Sequence, residues 1–171
     1  MPQRIQFTYG HSTENTYDAM GTKLQTIHLT VANNLNVPMG NTTAEGTVIN
    51  TLTMDYCDNI VYENGNLKFL LNEEGYTTGS GNDRLYHYYL KDHLGNNRGV
   101  TSASINGTPI YVNQTTEYYP FGLPIYSQSI SQELQPYKFG GKELDEMHGL
   151  NWYDQGARPF DAIVPRTPTI F

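Results

Sequence analysis

The chain has 171 residues, a formal net charge of −7 at pH 7 and a pI near 5.1. Its 10 Lys and Arg residues form no cluster, whereas nucleic-acid binding normally requires a basic patch, so no nucleic-acid partner is expected. No run of about 18 apolar residues occurs, so no membrane span is expected. The N-terminal residues lack the apolar centre of a signal peptide, so the chain is expected either to stay inside the cell or to follow a targeting signal that lies upstream.

Tyrosine and glycine are abundant, with 14 Tyr and 16 Gly residues against one Trp. Because a Tyr ring packs while its hydroxyl reaches water, and Gly permits tight turns, this composition favours sheets with many turns. Cys57 is the single cysteine, so neither an intrachain disulfide nor a thiolate metal site is expected, and no cofactor is predicted. Its acidic neighbours Asp55 and Asp58 disfavour a reactive thiolate, so Cys57 is predicted to be a half-buried structural thiol.

The first strand signals lie near the N-terminus. Residues 4–9 and 23–31 alternate apolar with polar side chains, which is the period of a β-strand. The polar, Asn- and Gly-rich residues 32–47 then predict a long loop or hairpin tip. Asn64-Gly65 lies between two β-prone runs and is the clearest hairpin signal, because both residues tolerate a positive φ.

The middle of the chain continues the same pattern. The stretch "YHYYLKDHLGNNRGV" at residues 86–100 predicts a strand, a turn at "KDHLGN" and a second strand. A further hairpin is predicted at Asn106-Gly107, and "TTEYYPFG", "PYKFGG" and "NWYDQGARPF" are also β-like. Short strands separated by a turn about every ten to fifteen residues predict an all-β fold, a twisted antiparallel sheet of short strands and hairpins.

Two later segments do not follow this strand pattern. Residues 141–149 allow at most one short helix, in which Leu144, Met147 and His148 share a face and Gly149 ends it. Residues 124–137 predict a second connecting loop.

The predicted turns share one unit, in which a strand leads into an Asp or Asn, a nearby Gly and a second strand. The Asp or Asn side chain closes such a turn by bonding the backbone two residues on, and Gly takes the position with a positive φ. One unit cannot bury its faces alone, so neighbouring units must stack. The predicted turn residues are Asp18, Gly21, Asn64, Gly65, Asp92, Gly95, Asn106, Gly107, Asp154 and Gly156.

Aromatic rings are predicted to pack between neighbouring units. His87, Asp92 and His93 could instead form a metal or acid–base site, but His87 alternates with Tyr along a strand, so structural roles are favoured and no metal site is predicted. The predicted structural aromatics are Tyr86, Tyr88, Tyr89, Tyr118, Tyr119, Trp152 and Tyr153. Three more histidines are dispersed without the spacing of a metal motif, namely His11, His28 and His148.

Four motifs give the chain a family resemblance. "YDAMGTKL" resembles the tyrosine–aspartate (YD) repeat, and "YHYYLKDHLGNNRGV", "EYYPFGLPI" and "YKFGGKELDEMHGLNWYDQGAR" resemble, in that order, the RHS repeat-associated core. The resemblance covers nearly the whole chain and is specific, because several unusual motifs occur in the right order. It divides the chain into YD-repeat strands at 1–31, a polar loop at 32–47, the core at 48–161 and a divergent tail at 162–171.

The resemblance implies a fold, partners and a location. RHS and YD-repeat proteins are very large bacterial surface or secreted proteins whose repeats form a spiralling β-sheet that closes into a hollow shell. That shell encloses a variable C-terminal toxin for delivery to competitor or host cells. A chain of this length would form only the last turns of a shell and could not enclose a cargo alone. Its expected partners are other YD repeats, or further copies that pair through open strand edges.

Some family members cut themselves after the core, in a reaction that resembles aspartyl proteolysis and needs two carboxylates. One carboxylate lies in an R-x-x-D element, which Arg158 and Asp161 match here. The tail "AIVPRTPTIF" departs from the family pattern and contains no acid. Arg158 and Asp161 are therefore interpreted as remnants or as a structural pair, and the chain is predicted not to be an enzyme.

Three functions stay open at this point. The first is a structural, non-catalytic fragment of a toxin-delivering shell, located in a secreted or cell-surface protein. The second is a cell-surface module that binds carbohydrate or protein through its Tyr-rich surface, which an exposed row of aromatic rings would support. The third is a remnant of a self-cleaving core.

Overall fold

The computed structural model describes residues 2–32, 37–38, 40–41, 47–104, 111–129, 135–156 and 158–168. They form a main sheet of 11 strands, in which each strand pairs antiparallel with its neighbours in sequence, and a small sheet of three strands. The strands of the main sheet are β1 (Arg4–Gln6), β2 (Ser12–Tyr17), β3 (Lys23–Val31), β4 (Val48–Cys57), β5 (Ile60–Glu63), β6 (Asn66–Asn72), β7 (Gly75–Thr78), β8 (Leu85–Lys91), β9 (Asn97–Ser104), β10 (Tyr111–Tyr118) and β11 (Pro124–Ser129). The small sheet contains β12 (Leu144–Asp145), β13 (Trp152–Asp154) and β14 (Pro159–Asp161). The predicted all-β fold is confirmed.

The Asn64-Gly65 pair makes a two-residue hairpin between β5 and β6. Both residues have a positive φ, 49° and 77°, which is the combination whose twist matches the strands of a two-residue hairpin. The hairpin predicted at Asn106-Gly107 lies outside the described residues, as does most of the segment 32–47. Strands β3 and β4 on either side of that segment pair with each other, and the division of the chain at 32–47 stays a prediction.

Five turns share one five-residue geometry, which we call the G4 loop because its fourth residue is always Gly. The first N–H donates to the fifth carbonyl at 2.8–3.0 Å, and the Gly N–H donates to the first carbonyl at 2.9–3.1 Å. The Gly φ values lie between 68° and 87°, as expected where a left-handed residue completes a three-residue hairpin loop. The G4 loops are residues 7–11, 18–22, 92–96, 119–123 and 138–142.

One face of the main sheet, called the inner face here, carries the larger core. Buried side chains from β4 to β9 meet there, and Tyr137 packs against them from the segment that precedes the small sheet. Asn97 holds that segment in place, because its Nδ2 donates to the Tyr137 carbonyl at 2.7 Å and its backbone N–H donates to the Lys138 carbonyl at 3.1 Å. The buried members of this core are Met54, Val61, Phe69, Tyr76 and Val100.

The small sheet has a core of its own, formed by Leu144, Tyr153 and Ala162. Tyr153 is 1% exposed, and its hydroxyl donates to the Gly122 carbonyl at 2.7 Å in the G4 loop between β10 and β11. The small sheet is therefore attached to the end of the main sheet by both apolar packing and a buried hydrogen bond.

The helix that the sequence allowed at 141–149 does not form. Strand β12 lies there instead, between 3-10 turns at Phe139–Gly141 and Met147–Gly149, because Gly141, His148 and Gly149 all take a positive φ that interrupts a right-handed helix. The loop predicted at 124–137 is wrong in its first half, since strand β11 pairs with β10 there.

Two smaller predictions also differ from the structure. Strand β1 ends at Gln6 rather than at residue 9, because residues 7–11 form a G4 loop. Cys57 is exposed rather than half-buried.

Candidate functional site

A charged cluster joins the small sheet to the inner face, and Lys23 lies at its centre. The Lys23 Nζ is 2.7 Å from Glu143 Oε2 and 2.7 Å from Asp154 Oδ2. The same Nζ lies over the Tyr56 ring, 4.5 Å from its centroid, and the Tyr56 hydroxyl donates to Glu143 Oε1 at 2.7 Å. Four side chains from three distant parts of the sequence thus form one network.

Local strand geometry aims the acids at Lys23. Side chains alternate along a strand, so Glu143 and Asp145 point away from the buried Leu144 between them. The Asp154 N–H donates to the Glu143 carbonyl at 2.9 Å, which places these two acids opposite each other on neighbouring strands. Two carboxylates on adjacent strands repel, and the Lys23 charge between them offsets that repulsion.

Burial and charge shape the ionisation of this cluster. Burial alone would lower the pKa of Lys23, but the charges on Glu143 and Asp154 outweigh it and raise that pKa above its ordinary value. Burial also raises the pKa of the Tyr56 hydroxyl, and the Glu143 charge adds to that effect. Lys23 therefore stays charged, and the cluster acts as an ion-paired clamp between the sheets.

A third acid, Asp145, lies on β12 next to Glu143. Burial raises the pKa of Asp145 to about 6, although the Met147 N–H donates to its Oδ1 at 2.9 Å and works in the opposite direction. Asp145 lies beside a cavity of about 260 Å³ between the sheets, which Lys23, His28 and Tyr56 also line.

Asp92 begins the G4 loop between β8 and β9 and accepts four hydrogen bonds. Its Oδ1 accepts from the N–H groups of Leu94 and Asn96 at 2.9 and 3.0 Å, and its Oδ2 accepts from Asn96 Nδ2 and Arg98 Nε, both at 2.9 Å. These bonds, the one from the Asn96 side chain first, lower the pKa of Asp92. Asn96 Oδ1 in turn accepts from the Gly140 N–H at 2.8 Å, which ties this loop to the next G4 loop in space.

The other predicted turn residues lie in related positions. Asp18 accepts from the N–H groups of Met20 and Thr22 at 2.9 and 2.7 Å, and Gly21 has a φ of 87°. Asp154 accepts from the Gly156 N–H at 2.8 Å in addition to its ion pair. Asn64 accepts from the Thr53 N–H at 2.9 Å.

His87 lies in a strand and makes contacts on both ring nitrogens. Its Nδ1 is 2.5 Å from Ser102 Oγ, and its Nε2 is 2.8 Å from Thr78 Oγ1. The ring stacks on Tyr76 at 4.3 Å between centroids, and burial lowers its pKa. Thr78 and Ser102 thus hold the His87 ring in place through both of its nitrogens. His93 is exposed in the loop.

The predicted aromatics divide into buried and exposed rings. Tyr118 and Tyr153 are buried, at 9% and 1% exposure, while Tyr88 and Tyr119 are 48% and 53% exposed. The remaining three are partly buried, namely Tyr86, Tyr89 and Trp152.

Arg158 lies just before strand β14, and Asp161 is the last residue of that strand. Asp161 Oδ1 accepts from the N–H groups of Ile163 and Val164 at 2.9 and 3.0 Å, so this oxygen closes a turn. Arg158 is exposed. Within the described residues, no group of three or more His, Cys, Asp or Glu could hold a metal ion.

Sequence reasoning missed the Lys23 cluster. Part of this cluster could be read from the sequence, because Glu143 and Asp145 flank the apolar Leu144 and Asp154 lies on the following strand. The partner, however, is 120 residues away, and no local pattern links Lys23 to them.

Comparison with solved structures identifies the fold. The crystal structure of TcdB2-TccC3-TEV matches 96% of this chain and 8% of its own, with 14% identity and a TM-score of 0.62. The crystal structure of TcdB2-TccC3 matches 92% and 8%, with 14% identity and a TM-score of 0.61. The same complex without its hypervariable C-terminal region matches 92% and 7%, with 15% identity and a TM-score of 0.58. The chain thus spans about 8% of the length of the chains it matches.

The resemblance found in the sequence is confirmed at the level of fold by these TcdB2-TccC3 chains. No family model matches the chain. No curated protein matches it either. In the part of the chain that is described, the helical segments are 3-10 turns of three residues, and none could cross a membrane.

Proposed function

We propose that this chain is a wall segment of a hollow RHS-type β-shell that encloses and delivers a toxin. The observation that carries the proposal is the fold shared with TcdB2-TccC3 over nearly the whole chain. The quoted YD and RHS core motifs support it, because they fall on β2, β3, β8 to β11 and the small sheet. The wall would continue by strand pairing to further YD repeats in a secreted or cell-surface protein.

Electron cryo-microscopy of the natural protein tests this proposal. An affinity tag is inserted after Asn82, which is exposed in the turn between β7 and β8, and the tagged protein is isolated from its source. We expect hollow particles with density inside. Compact particles without an enclosed space would contradict the proposal.

We also propose that the wall segment is not catalytic. The Asp161 Oδ1 accepts two backbone N–H groups and closes a turn, which is a structural use of that carboxylate. Intact-mass spectrometry of the purified chain over several days is expected to show one unchanged mass. Cleavage that the Asp161→Asn variant abolishes would revive the self-cleaving alternative.

A second candidate function is binding of a carbohydrate at the cell surface. The specific observation is the exposed pair of rings in the G4 loop between β10 and β11, where Tyr119 is 53% exposed and Phe121 is 58% exposed. Sugar rings stack on such exposed aromatic faces. Calorimetric titration with a panel of sugars tests this role. The role requires that the wild-type chain binds a sugar and that Tyr119→Ala abolishes this binding.

A further inference from the structure

Three histidines that are distant in the sequence meet where the small sheet docks on the main sheet. The rings of His11 and His148 are stacked, with centroids 4.4 Å apart and an interplanar angle of 10°. His28 approaches His148 edge-on, with centroids 6.5 Å apart, and Phe7 does so at 5.2 Å. His11 and His28 belong to the main sheet and His148 to the turn after β12, so this histidine cluster spans the interface.

The surroundings of these rings suit neutral imidazoles. His28 is 6% exposed, and its Nδ1 is 3.0 Å from Thr13 Oγ1. His11 Nδ1 accepts from the Val31 N–H at 3.2 Å. The Nε2 of His148 is buried and has no hydrogen-bond partner among the described residues. A proton on the buried His28 ring would therefore place a charge near the His148 ring, away from water.

Charged groups face the histidine cluster from both sheets. Lys23 at the start of β3 opposes protonation of His28. Lys138 pairs with Glu146 at 3.5 Å, and Lys68 pairs with Glu63 on the wall of the cavity that His28 lines. The acids on the side of the small sheet are Glu143, Asp145, Glu146 and Asp154.

We propose that the histidine cluster is an acid-sensitive latch: protonation of His28 and His148 releases the small sheet from the main sheet, while strands β5–β7 stay folded. The latch goes beyond the wall role proposed above, because it gives one end of the wall a condition under which it opens. Release would uncover the charged cluster around Lys23 and the inner face beside it.

The direction of the pH effect follows from the two kinds of group. Burial, followed by the charges of His148 and Lys23, lowers the pKa of His28 to about 4, and burial also lowers that of His148. The neutral His28 and His148 rings stabilise the docked small sheet fully above the ordinary histidine pKa of about 6.5. This stabilisation is lost as the pH falls towards 4. Asp145 acts oppositely, because its pKa of about 6 makes docking more favourable as the pH falls through 6.

The opposing effects have comparable size. Between about pH 7 and about pH 5, the lowered pKa of His28 alone would increase the equilibrium constant for release of the small sheet roughly 20-fold. The raised pKa of Asp145 alone would decrease that constant roughly 10-fold. The Asp145→Asn variant keeps an oxygen for the Met147 N–H and removes the titration. It therefore isolates the latch.

Hydrogen exchange of the full chain, read by mass spectrometry at about pH 7 and about pH 5 and corrected for intrinsic rates, tests the latch. In Asp145→Asn we expect β12–β14 to lose protection at least about tenfold at the lower pH, with β5–β7 unchanged. Adding His28→Gln should reduce that loss below about threefold. Adding His93→Ala, which changes an exposed histidine outside the cluster, should leave it intact.

Three outcomes would overturn the latch. The first is unchanged protection of β12–β14 in Asp145→Asn, and the second is an equal loss after His28→Gln. The third is simultaneous loss in β5–β7, which would mean global unfolding. If His28→Gln does not fold, His148→Asn serves in its place, because Asn tolerates the φ of 54° at that position.

Discussion

At the level of single residues, the strictest requirement is the positive φ at the fourth position of each G4 loop, which Gly adopts. Gly95 has a φ of 83°, and a Cβ placed there would have nothing within 4 Å. Gly95→Val should therefore destabilise through backbone strain alone, by about 1–3 kcal/mol. Urea unfolding measures this change in the free energy of unfolding.

The neighbouring position provides the control. His93 is exposed in the same loop, so His93→Ala should change the free energy of unfolding by less than about 0.5 kcal/mol. Equal losses for the two variants would contradict a specific role for the left-handed Gly.

A second prediction at the level of single residues concerns Asp92. Asp92→Ala leaves the N–H groups of Leu94 and Asn96 without their acceptor and should cost about 1–3 kcal/mol. Asp92→Asn keeps one oxygen and should cost less.

The lowered pKa of Asp92 means that the carboxylate stabilises the fold above about pH 4 and stops doing so as the pH falls further. An acid titration of stability in which wild type and Asp92→Asn run in parallel would contradict this.

The sequence revealed two of the five G4 loops. Those at 18–22 and 92–96 begin with Asp, so side chain and Gly both signal a turn. The other three begin with Phe7, Tyr119 and Lys138, whose side chains do not cap a turn, and the shared geometry there resides in the backbone and one Gly.

At the level of elements, a close approach of strands explains one glycine. A Cβ on Gly75 would lie 1.8 Å from the His87 carbonyl oxygen, a backbone atom that cannot move away without breaking the pairing of β7 and β8. Gly75→Ala should therefore cost about 3 kcal/mol or more.

Gly99 is the matched control for Gly75, since it also lies within a paired strand. Its Cβ would meet the end of the Leu90 side chain at 3.1 Å, which can rotate away. Gly99→Ala should cost less than about 1 kcal/mol in the same denaturant assay. A smaller loss for Gly75→Ala than for Gly99→Ala would contradict the close approach.

Removing Lys23 tests the ion-paired clamp. Lys23→Met leaves Glu143 and Asp154 facing each other without a cation, and because these acids are 15% and 29% exposed, we expect a loss of about 2 kcal/mol. Lys142→Met, at an exposed position next to Glu143, should have little effect. Stability equal to wild type for Lys23→Met in urea unfolding would show that the clamp does not hold the sheets together.

The sequence predicted the elements that depend on contacts between neighbouring residues, and it missed those that depend on distant contacts. Strand β3 and the hairpin at Asn64-Gly65 depend on neighbouring residues, and the sequence indicated both. Strand β12 was mistaken for a possible helix because its two residues gain their structure from pairing with β13. The Lys23 cluster itself joins residues 120 positions apart, which no local period records.

At the level of the whole molecule, the two edges of the main sheet differ. The Gln6 side chain on β1 donates to the carbonyls of Val37 and Pro38 at 3.1 and 3.2 Å, and the Gly40 N–H donates to its Oε1 at 3.3 Å. Residues 37, 38 and 40 therefore lie along that edge. Strand β11 forms the opposite edge. Edge strands recruit further strands.

Association through β11 is therefore expected. Size-exclusion chromatography with light scattering should show a mass that rises with concentration, and Ile125→Lys, which adds a charge to the edge strand, should weaken the rise. Ile163→Lys, at an exposed position outside that edge, is the control. A strict monomer at every concentration would contradict the edge argument.

The order of the main sheet has a consequence for how such walls change length. Because each strand pairs only with the strands before and after it in sequence, β1 to β11 contain no crossover. A hairpin gained or lost by duplication or deletion would alter two neighbours and leave the register of the remaining strands intact. A wall built in this way can be lengthened by gene duplication, with no need to redesign the strands already present.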